Sequence, residues 1–531
     1  MSEDPAPTPA RSEPADDLLL TVVCATPEET ARLAEDVAMI LAPGDCLCLD
    51  GDLGAGKSTF ARAAIRALAD DATLEVPSPT FTLVQSYPLP RFEVAHLDLY
   101  RLEEPEELDE LGLDEALERG AALVEWPERG AGRLPADALT VRFSADDGPD
   151  SRRLVFHGSQ AFWIARLART RAIRALLEAA GFATATRRYL QGDASPRAYE
   201  TIRHAARRAI LMNAPVLDLP PSDAGDTESY AEKVHLARDL VPVVAVGAAL
   251  LAAGFCAPET FAADCPAGLL LQEDLGQGSF LDDGAPVAER YLAAVDLLVD
   301  LQARRIGPVL EVPASCGGGI YRVPAFDPRA MLAEAELFLD WYLPQVDAAP
   351  DAVARVAFRR LWQPLLEAVG EAEPVLVLRD YHSPNLIWRE ERSGHDRLGL
   401  VDYQDAVMGS PAYDLASLAM DARVDVPRDL EARLVARYLE RCRAVDPAVD
   451  VARFQRDYAI MAAQRASKVL GVFVRLARRD GKPAYLTHLP RVHDYLMRAL
   501  AHPALDDLRV WLDAAGALAP PAARDGKEHG T

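Results

Sequence analysis

The residues that most directly specify chemistry are Gly51-Asp52-Leu53-Gly54-Ala55-Gly56-Lys57-Ser58, which fit the spacing G-x-x-x-x-G-K-[ST]. Glycines at these positions let backbone N–H groups face phosphate oxygens, and a helix starting there adds a partial positive charge. Lys57 is long enough to reach the β- and γ-phosphates of a nucleotide, and the Ser58 hydroxyl suits Mg²⁺. The pattern arises by accident in roughly 2% of chains this long, so its context decides. Cys46 to Asp50 reads as a short buried strand, and Ser58 to Leu68 reads as an amphipathic helix. Strand, glycine loop and helix together form a phosphate cradle.

Three further segments carry groups that such a cradle needs. Val76-Pro77-Ser78-Pro79-Thr80-Phe81 is a proline-held loop whose hydroxyls, Thr80 among them, are placed to sense a γ-phosphate. Val94 to Tyr100 is an apolar strand with one acid, Asp98, suited to hold Mg²⁺ or its water. Ala122 to Glu128 is another apolar strand, and its Glu125 suits a metal ligand or a water-orienting group.

A second constellation lies far downstream, in Leu378-Arg379-Asp380-Tyr381-His382-Ser383-Pro384-Asn385. The spacing Asp-x-x-x-x-Asn is that of a kinase catalytic loop, where the Asp accepts a hydroxyl proton and the Asn binds a metal. Alone it carries nothing, since it occurs about once by chance in a chain of this length. Apolar strands flank it, however, and a third apolar run ends in Asp402, followed by Tyr403-Gln404-Asp405. Two acids and an Asn at loop tips are costly unless they meet metal and phosphate. Asp380 is thus the expected base, with Asn385 and Asp402 as metal ligands.

The elements that position these groups fall into two sets. Strands and helices alternate from Leu18 to about residue 157, and the expected sheet is mostly parallel. Thr26-Pro27-Glu28-Glu29 caps the first helix. A basic helix spans Ala161 to Ala180, strands run from about Arg187 to Pro215, and the chain is mostly helical after Pro286. The domains expected are 18–157 and 161–518, with disordered ends at 1–17 and 519–531. Half of the 531 residues are apolar and the net charge is −26. Such an acidic chain repels phosphate backbones, so direct, non-specific binding of nucleic acid is not expected. The seven cysteines are scattered and odd in number, which argues against disulfides and zinc and suits a cytoplasmic location. No apolar run reaches membrane-spanning length, and Met1 to Asp17 does not read as a signal peptide.

The first set resembles the TsaE (YjeE-like) ATPases of bacterial tRNA modification. The residues that carry this are Gly51 to Thr59, Pro77 to Phe81, His96-Leu97-Asp98-Leu99-Tyr100-Arg101-Leu102 and Glu125-Trp126-Pro127. The resemblance implies an ATPase that supports formation of N6-threonylcarbamoyladenosine at tRNA position 37. Its partners would be TsaB/TsaD-like subunits of the threonylcarbamoyltransferase complex, with tRNA met only indirectly. It further implies that Gly54, Ala55, Gly56, Lys57, Ser58 and Thr59 bind ATP, with Ser58 and Glu125 on Mg²⁺.

The second set resembles the aminoglycoside phosphotransferase superfamily, and most closely its AmgK-type N-acetylmuramate/N-acetylglucosamine kinases. Besides Asp380, Asn385 and Asp402, the carrying residues are Gly192 to Arg197, Ala209 to Pro215, Leu269 to Gly276 and Tyr413-Asp414-Leu415. The resemblance implies Mg-ATP and a hinge, Glu273 to Leu275, that presents backbone groups to adenine. Three features depart from the family pattern: Leu378 replaces a His, the third strand lacks a Lys, and the first hairpin lacks G-x-G-x-x-G. Arg197 is the candidate phosphate cation. The expected fold class is α/β, a P-loop NTPase domain followed by a bilobal protein-kinase-like domain. The acceptor is an amino sugar; an aminoglycoside, amino alcohol or homoserine remains an alternative, as does a nucleotide-switched scaffold.

Overall fold

A computed structural model describes residues 18–130, 132–190, 197–216 and 228–519. The expected disordered ends, 1–17 and from 520 on, lie outside the described residues, as do Gly192 to Pro196 of the first hairpin. The chain forms two compact units, one of residues 1–192 and 198–211, the other of residues 193–197 and 212–531.

In the first unit the order is β1 (Leu18–Cys24), α1 (Pro27–Ile40), β2 (Cys46–Gly51), α2 (Lys57–Ala69), β3 (Val84–Pro88) and β4 (Glu93–Asp98). It continues with α3 (Leu113–Arg119), β5 (Gly120–Glu125), β6 (Leu139–Ala145), β7 (Arg152–His157) and α4 (Ala161–Ala179). Then come β8 (Thr186–Leu190), β9 (Ala198–His204) and β10 (Arg207–Asn213), with the unit boundary inside β10. Seven strands make one sheet, ordered β1-β7-β6-β2-β5-β4-β3. The central β6, β2, β5 and β4 run parallel, while β1, β7 and β3 pair antiparallel. The expectation of a mostly parallel sheet is corrected to a mixed one. Its parallel core follows from the helical crossovers, and hairpin-length links turn the edges back. β2 and β5 are apolar along nearly their whole length because both faces are covered.

The Thr26 hydroxyl caps α1 by accepting from Glu29 N at 3.2 Å. The Glu29 carboxylate returns to Ala25 N at 2.8 Å, one residue before the cap. The far side of α1 carries Glu35 and Asp36, both buried. They meet Arg187 and Arg188 of β8. The fully buried Arg187 guanidinium grips Glu200 of β9 with two nitrogens, at 2.7 and 2.8 Å, and donates to Asp36 at 2.8 Å and to Thr170. Arg174 of α4 also holds Asp36. Burial alone would lower the Arg187 pKa; the carboxylates of Glu200 and Asp36 outweigh it and raise it. By packing, then, β8 and β9 belong with α1.

In the second unit β11 (Thr260–Asp264) and β12 (Leu269–Glu273) form an antiparallel hairpin. The helix Val241–Ala252 is apolar all round and largely buried. Among the described residues no helix is long and apolar enough to cross a membrane. Helical packing centres on Val451–Arg478, a 28-residue helix. Two small antiparallel pairs, Val375–Val377 with Val407–Gly409 and Leu386–Trp388 with Leu398–Leu400, bracket the loop that carries Asp380. Cys265 and Cys316 are joined in a disulfide with Cα atoms 5.3 Å apart, which corrects the expectation of none. Fifty-one residues separate them, so no spacing motif marked the pair.

Arg187 yields the first prediction. In the full chain Arg187→Ala leaves Glu200 buried without the cation that grips it and Asp36 with Arg174 alone, which costs about 3 kcal/mol or more. The transition of the first unit in calorimetry should fall by roughly 6 °C or more. An unchanged transition would show that the network is not structural.

Candidate functional site

In the first unit the P-loop residues sit between β2 and α2. Gly51 ends β2 so close to β6 that a Cβ there would lie 2.7 Å from Phe143 O. Gly56 has φ 109°, a left-handed value that suits glycine, and caps α2 without any side-chain bond to the first-turn amides. Gly54 and Ala55 complete the loop, and Thr59 is exposed on the first turn of α2. The Lys57 ammonium donates to Asp52 O at 2.9 Å and to Gly51 O, and lies 3.6 Å from the centre of the Trp126 ring. Burial pulls its pKa down, against the pull of Glu125 and Glu128.

The register of β4 and β5 places Asp98 beside Glu125. Both are buried, yet their partners differ. Glu125 accepts from Ser58 Oγ at 2.8 Å and sits 2.9 Å from His96 Nε2. Asp98 accepts from Ser78 Oγ at 3.0 Å and from Tyr100 N at 3.1 Å. The structure therefore brings Ser58 and Glu125 together, while Asp98 is tied to the Ser78 loop. Thr80 is half-buried in that loop, two residues beyond Ser78. Trp126, directly after Glu125, is held at φ 60°. For a bulky residue that is a strained conformation, here stacked under Lys57.

The second unit holds a cavity of about 850 Å³ lined by Arg197, Asp380, Asn385 and Asp402 together. Glu273 and Leu275 do not line it; they lie at the end of β12 and in the segment after it. There Leu275 packs on Gly399, and Glu273 lies 3.7 Å from Arg389. Asn385 Nδ2 donates to Asp380 O at 3.0 Å and to Asp402 Oδ2 at 3.3 Å, and Gln404 steadies Asp402 Oδ1 at 2.8 Å. Arg379 and Asp402 both adopt left-handed φ values, 72° and 61°. Such backbone persists only where its surroundings over-determine it. Here Asp414, fully buried, accepts from the amides of Leu378 and Arg379 at 2.7 and 2.9 Å. Burial pushes its carboxyl up to about 7 despite those two bonds. Asp421 similarly accepts from Ser383 N and Oγ.

Behind Asp380 stands a buried charge network. Glu334 is fully buried, pairs with Arg379, bonds Lys468 Nζ at 2.7 Å and accepts from Gln464 at 3.0 Å. Arg465 reaches Arg379 O at 2.9 Å and lies 3.6 Å from Asp380 Oδ1. Burial would raise the Asp380 pKa, but Lys468 and Arg465 outweigh it and hold the carboxyl at about 2. Asp402 moves the other way. Enclosure in the cleft floor, although its side chain still reaches the cleft, pushes it up, and so does the charge on Asp380.

Residues 24–154 match the family model for threonylcarbamoyl adenosine biosynthesis protein TsaE. Residues 186–454 match the phosphotransferase enzyme family. Over 352 residues the chain is 37% identical to an N-acetylmuramate/N-acetylglucosamine kinase of Caulobacter vibrioides, across 64% of this chain and 94% of the relative. A protein of the same description from Pseudomonas aeruginosa is 32% identical over 326 residues, covering 60% of this chain and 84% of the relative. The tRNA threonylcarbamoyladenosine biosynthesis protein TsaE of Rickettsia bellii is 42% identical over 127 residues, 24% of this chain and 86% of its own length.

The chain belongs to the TsaE family and to the phosphotransferase enzyme family. Its fold is a P-loop NTPase-like domain followed by a protein-kinase-like phosphotransferase domain, and it is an ATP-using enzyme. The phosphotransferase loop keeps Asp380 and Asn385 but carries Leu378 two residues before the Asp. His382, two residues after it, lines the cavity instead. Several groups at these sites escaped sequence reasoning. The contact of His96 with Glu125 depends on sheet register. Arg465 and Lys468 lie more than eighty residues beyond Asp380, and their one signal was two cations three apart in the mostly apolar stretch from Tyr458 to Val474.

Glu334 supplies a pH prediction. The combined pull of Arg379 and Lys468 overcomes burial and lowers its pKa from 4.5 to about 2. The native state therefore binds fewer protons than the unfolded one. This stabilisation, on the order of 3 kcal/mol, is present above about pH 4.5 and lost as pH falls toward 2. In denaturant titrations at pH 7, 4.5 and 3, Glu334→Gln should lower stability at pH 7. It should also flatten the slope between pH 4.5 and 3; parallel curves for parent and variant would refute the assignment.

Proposed function

We propose that the chain is bifunctional. Its first domain is an ATPase supporting N6-threonylcarbamoyladenosine formation on tRNA with threonylcarbamoyltransferase partners, and its second is an ATP-dependent anomeric kinase of N-acetylmuramate and N-acetylglucosamine. The observation that carries the kinase reading is the meeting of Asp380, Asn385, Asp402 and Arg197 in one cavity. Asp380 takes the proton of the C1 hydroxyl as that oxygen bonds to the γ-phosphorus of ATP and ADP departs. The product is a sugar 1-phosphate. The Asp380 carboxylate is a weak base, and an anomeric hydroxyl, more acidic than other sugar hydroxyls, suits it. Its position matters more than its basicity in phosphoryl transfer.

Asn385 and Asp402 offer hard oxygen donors, and the raised Asp402 carboxyl is one that a cation would relieve. Mg²⁺ bound there supplies charge neutralisation for the transferring phosphoryl group. Arg197, whose charge acts on Asp402, is assigned to the ATP phosphates in place of the absent strand Lys. The Glu273 to Leu275 backbone is assigned to adenine. In the first domain Ser58 and Glu125, already bonded to each other, would hold the metal, and Asp98 would hold the metal or its water. Lys57 and the amides from Gly51 to Thr59 take the phosphates, and Thr80 approaches the γ-phosphate.

Two experiments on the full chain separate the sites. Asp380→Asn keeps the shape of the loop and removes the base, so sugar 1-phosphate formation should fall by about three orders of magnitude, near 4 kcal/mol in barrier. Turnover by this variant at the parent rate would sink the kinase assignment. Lys57→Ala should abolish rescue of tRNA threonylcarbamoylation in cells lacking their own TsaE while leaving sugar phosphorylation intact. If the parent chain, normally expressed, restores no modified nucleoside, the first-domain reading fails.

A further inference from the structure

The long helix Val451–Arg478 presents one continuous face to the cavity that holds Asp380. Arg465, Lys468, Val472 and Arg475 all line it, at positions three and four apart, which fall on one side of an α-helix. The first two cations are committed. Arg465 bonds Arg379 O and faces Asp380, and Lys468 is paired with Glu334. Arg475 differs. Its guanidinium lies against the Tyr230 ring, 5.1 Å from the centroid, and its Nε has no hydrogen-bond partner among the described residues. The nearest acid on its own helix end, Asp480, is held by Arg479 at 2.7 Å. Arg423 lines the same cavity, with its guanidinium 5.9 Å from the centre of the Tyr485 ring.

Burial pulls both Arg475 and Arg423 down from the usual guanidinium range. Hydrogen bonds to Tyr230 and Tyr485 offset part of that cost, and a carboxylate entering the cavity would offset more. Arg475 lies ten residues beyond Arg465, about 15 Å along the axis. Helical side chains lean toward the N-terminus, so its guanidinium leans back toward the catalytic loop. A sugar whose C1 hydroxyl is at Asp380 would extend another substituent toward it.

We propose that Arg475, with Arg423 of the same cavity lining, forms a carboxylate subsite of the acceptor cavity that takes the lactyl carboxylate of N-acetylmuramate. This rests on the kinase reading above and deepens it. The two sugars share the ring, the N-acetyl group and the C1 hydroxyl, and differ in the lactyl ether at C3. A neutral sugar leaves Arg475 against Tyr230; the acidic one gains a charge-assisted bond, bidentate if the fork is presented square on.

The test compares kcat/KM for the two sugars in the full chain. Arg475→Gln removes the charge and shortens the side chain while keeping a polar amide, and Arg475→Lys keeps the charge and most of the reach. The ratio of kcat/KM for N-acetylmuramate to that for N-acetylglucosamine should fall about 10-fold or more, the effect of losing one hydrogen bond to a charged group. The loss should sit in KM. Arg475→Lys should recover part of the ratio, and Arg423→Gln should lower it in the same direction. A ratio that stays within twofold of the parent in Arg475→Gln, with both sugars slowed alike, would mean a structural role and overturn the subsite. A parent chain that phosphorylates neither sugar would overturn the kinase reading, and the subsite with it.

Discussion

The kinase cleft depends on one carboxylate that never meets solvent. Glu334 is fully buried, and it compensates Arg379 and Lys468, which would otherwise be two uncompensated cations behind the catalytic loop. With that charge in place, Arg379 can take its left-handed φ and turn Asp380 into the cavity. Lys468 and Arg465 then keep Asp380 ionised. Asp414 fixes the same turn from the other side through two backbone amides. The loop is thus clamped between two buried acids with opposite tendencies: one held charged by cations, the other pushed toward its neutral form by burial.

The first domain solves a similar problem with fewer charges. Glu125 is buried but bonded to Ser58 and His96, so its oxygens already face the direction from which a P-loop serine approaches. Trp126 follows it in a strained conformation and stacks beneath Lys57. A cation on an indole face is stabilised without an ion pair, and the Lys57 ammonium otherwise bonds the backbone carbonyls of Gly51 and Asp52. Sheet register does the rest, since parallel β4 and β5 carry Asp98 and Glu125 to the same edge.

What could be read from the sequence were the groups whose partners lie close along the chain. The P-loop is eight residues between a strand and a helix. Asp380, Asn385 and Asp402 fall within one short run, and their flanking strands show as apolar segments. What could not be read depends on long-range pairing. His96 reaches Glu125 only once β4 lies beside β5. Arg465 and Lys468 meet Asp380 and Glu334 through helix packing, which leaves no periodic signature beyond a buried cation. The Cys265–Cys316 bond joins two turns with unrelated sequences. The mixed sheet was missed because β1, β7 and β3 read like any short strand, and only their connections set direction.

The Arg187 network has a consequence for how such a chain arose. β8 and β9 fall inside the stretch matched by the phosphotransferase family, yet their buried Arg187 shares its charge between Glu200 of β9 and Asp36 on α1, which lies in the stretch matched by the other family. Two once independent proteins joined by a tether could be parted again by a stop codon. Once Glu35 and Asp36 had become ligands for Arg187 and Arg188, a split gene would expose complementary charges on both products, each needing compensating substitutions. Cutting the chain between the two family stretches would therefore leave uncompensated charge on both pieces, which binds the TsaE-family domain and the phosphotransferase to one polypeptide.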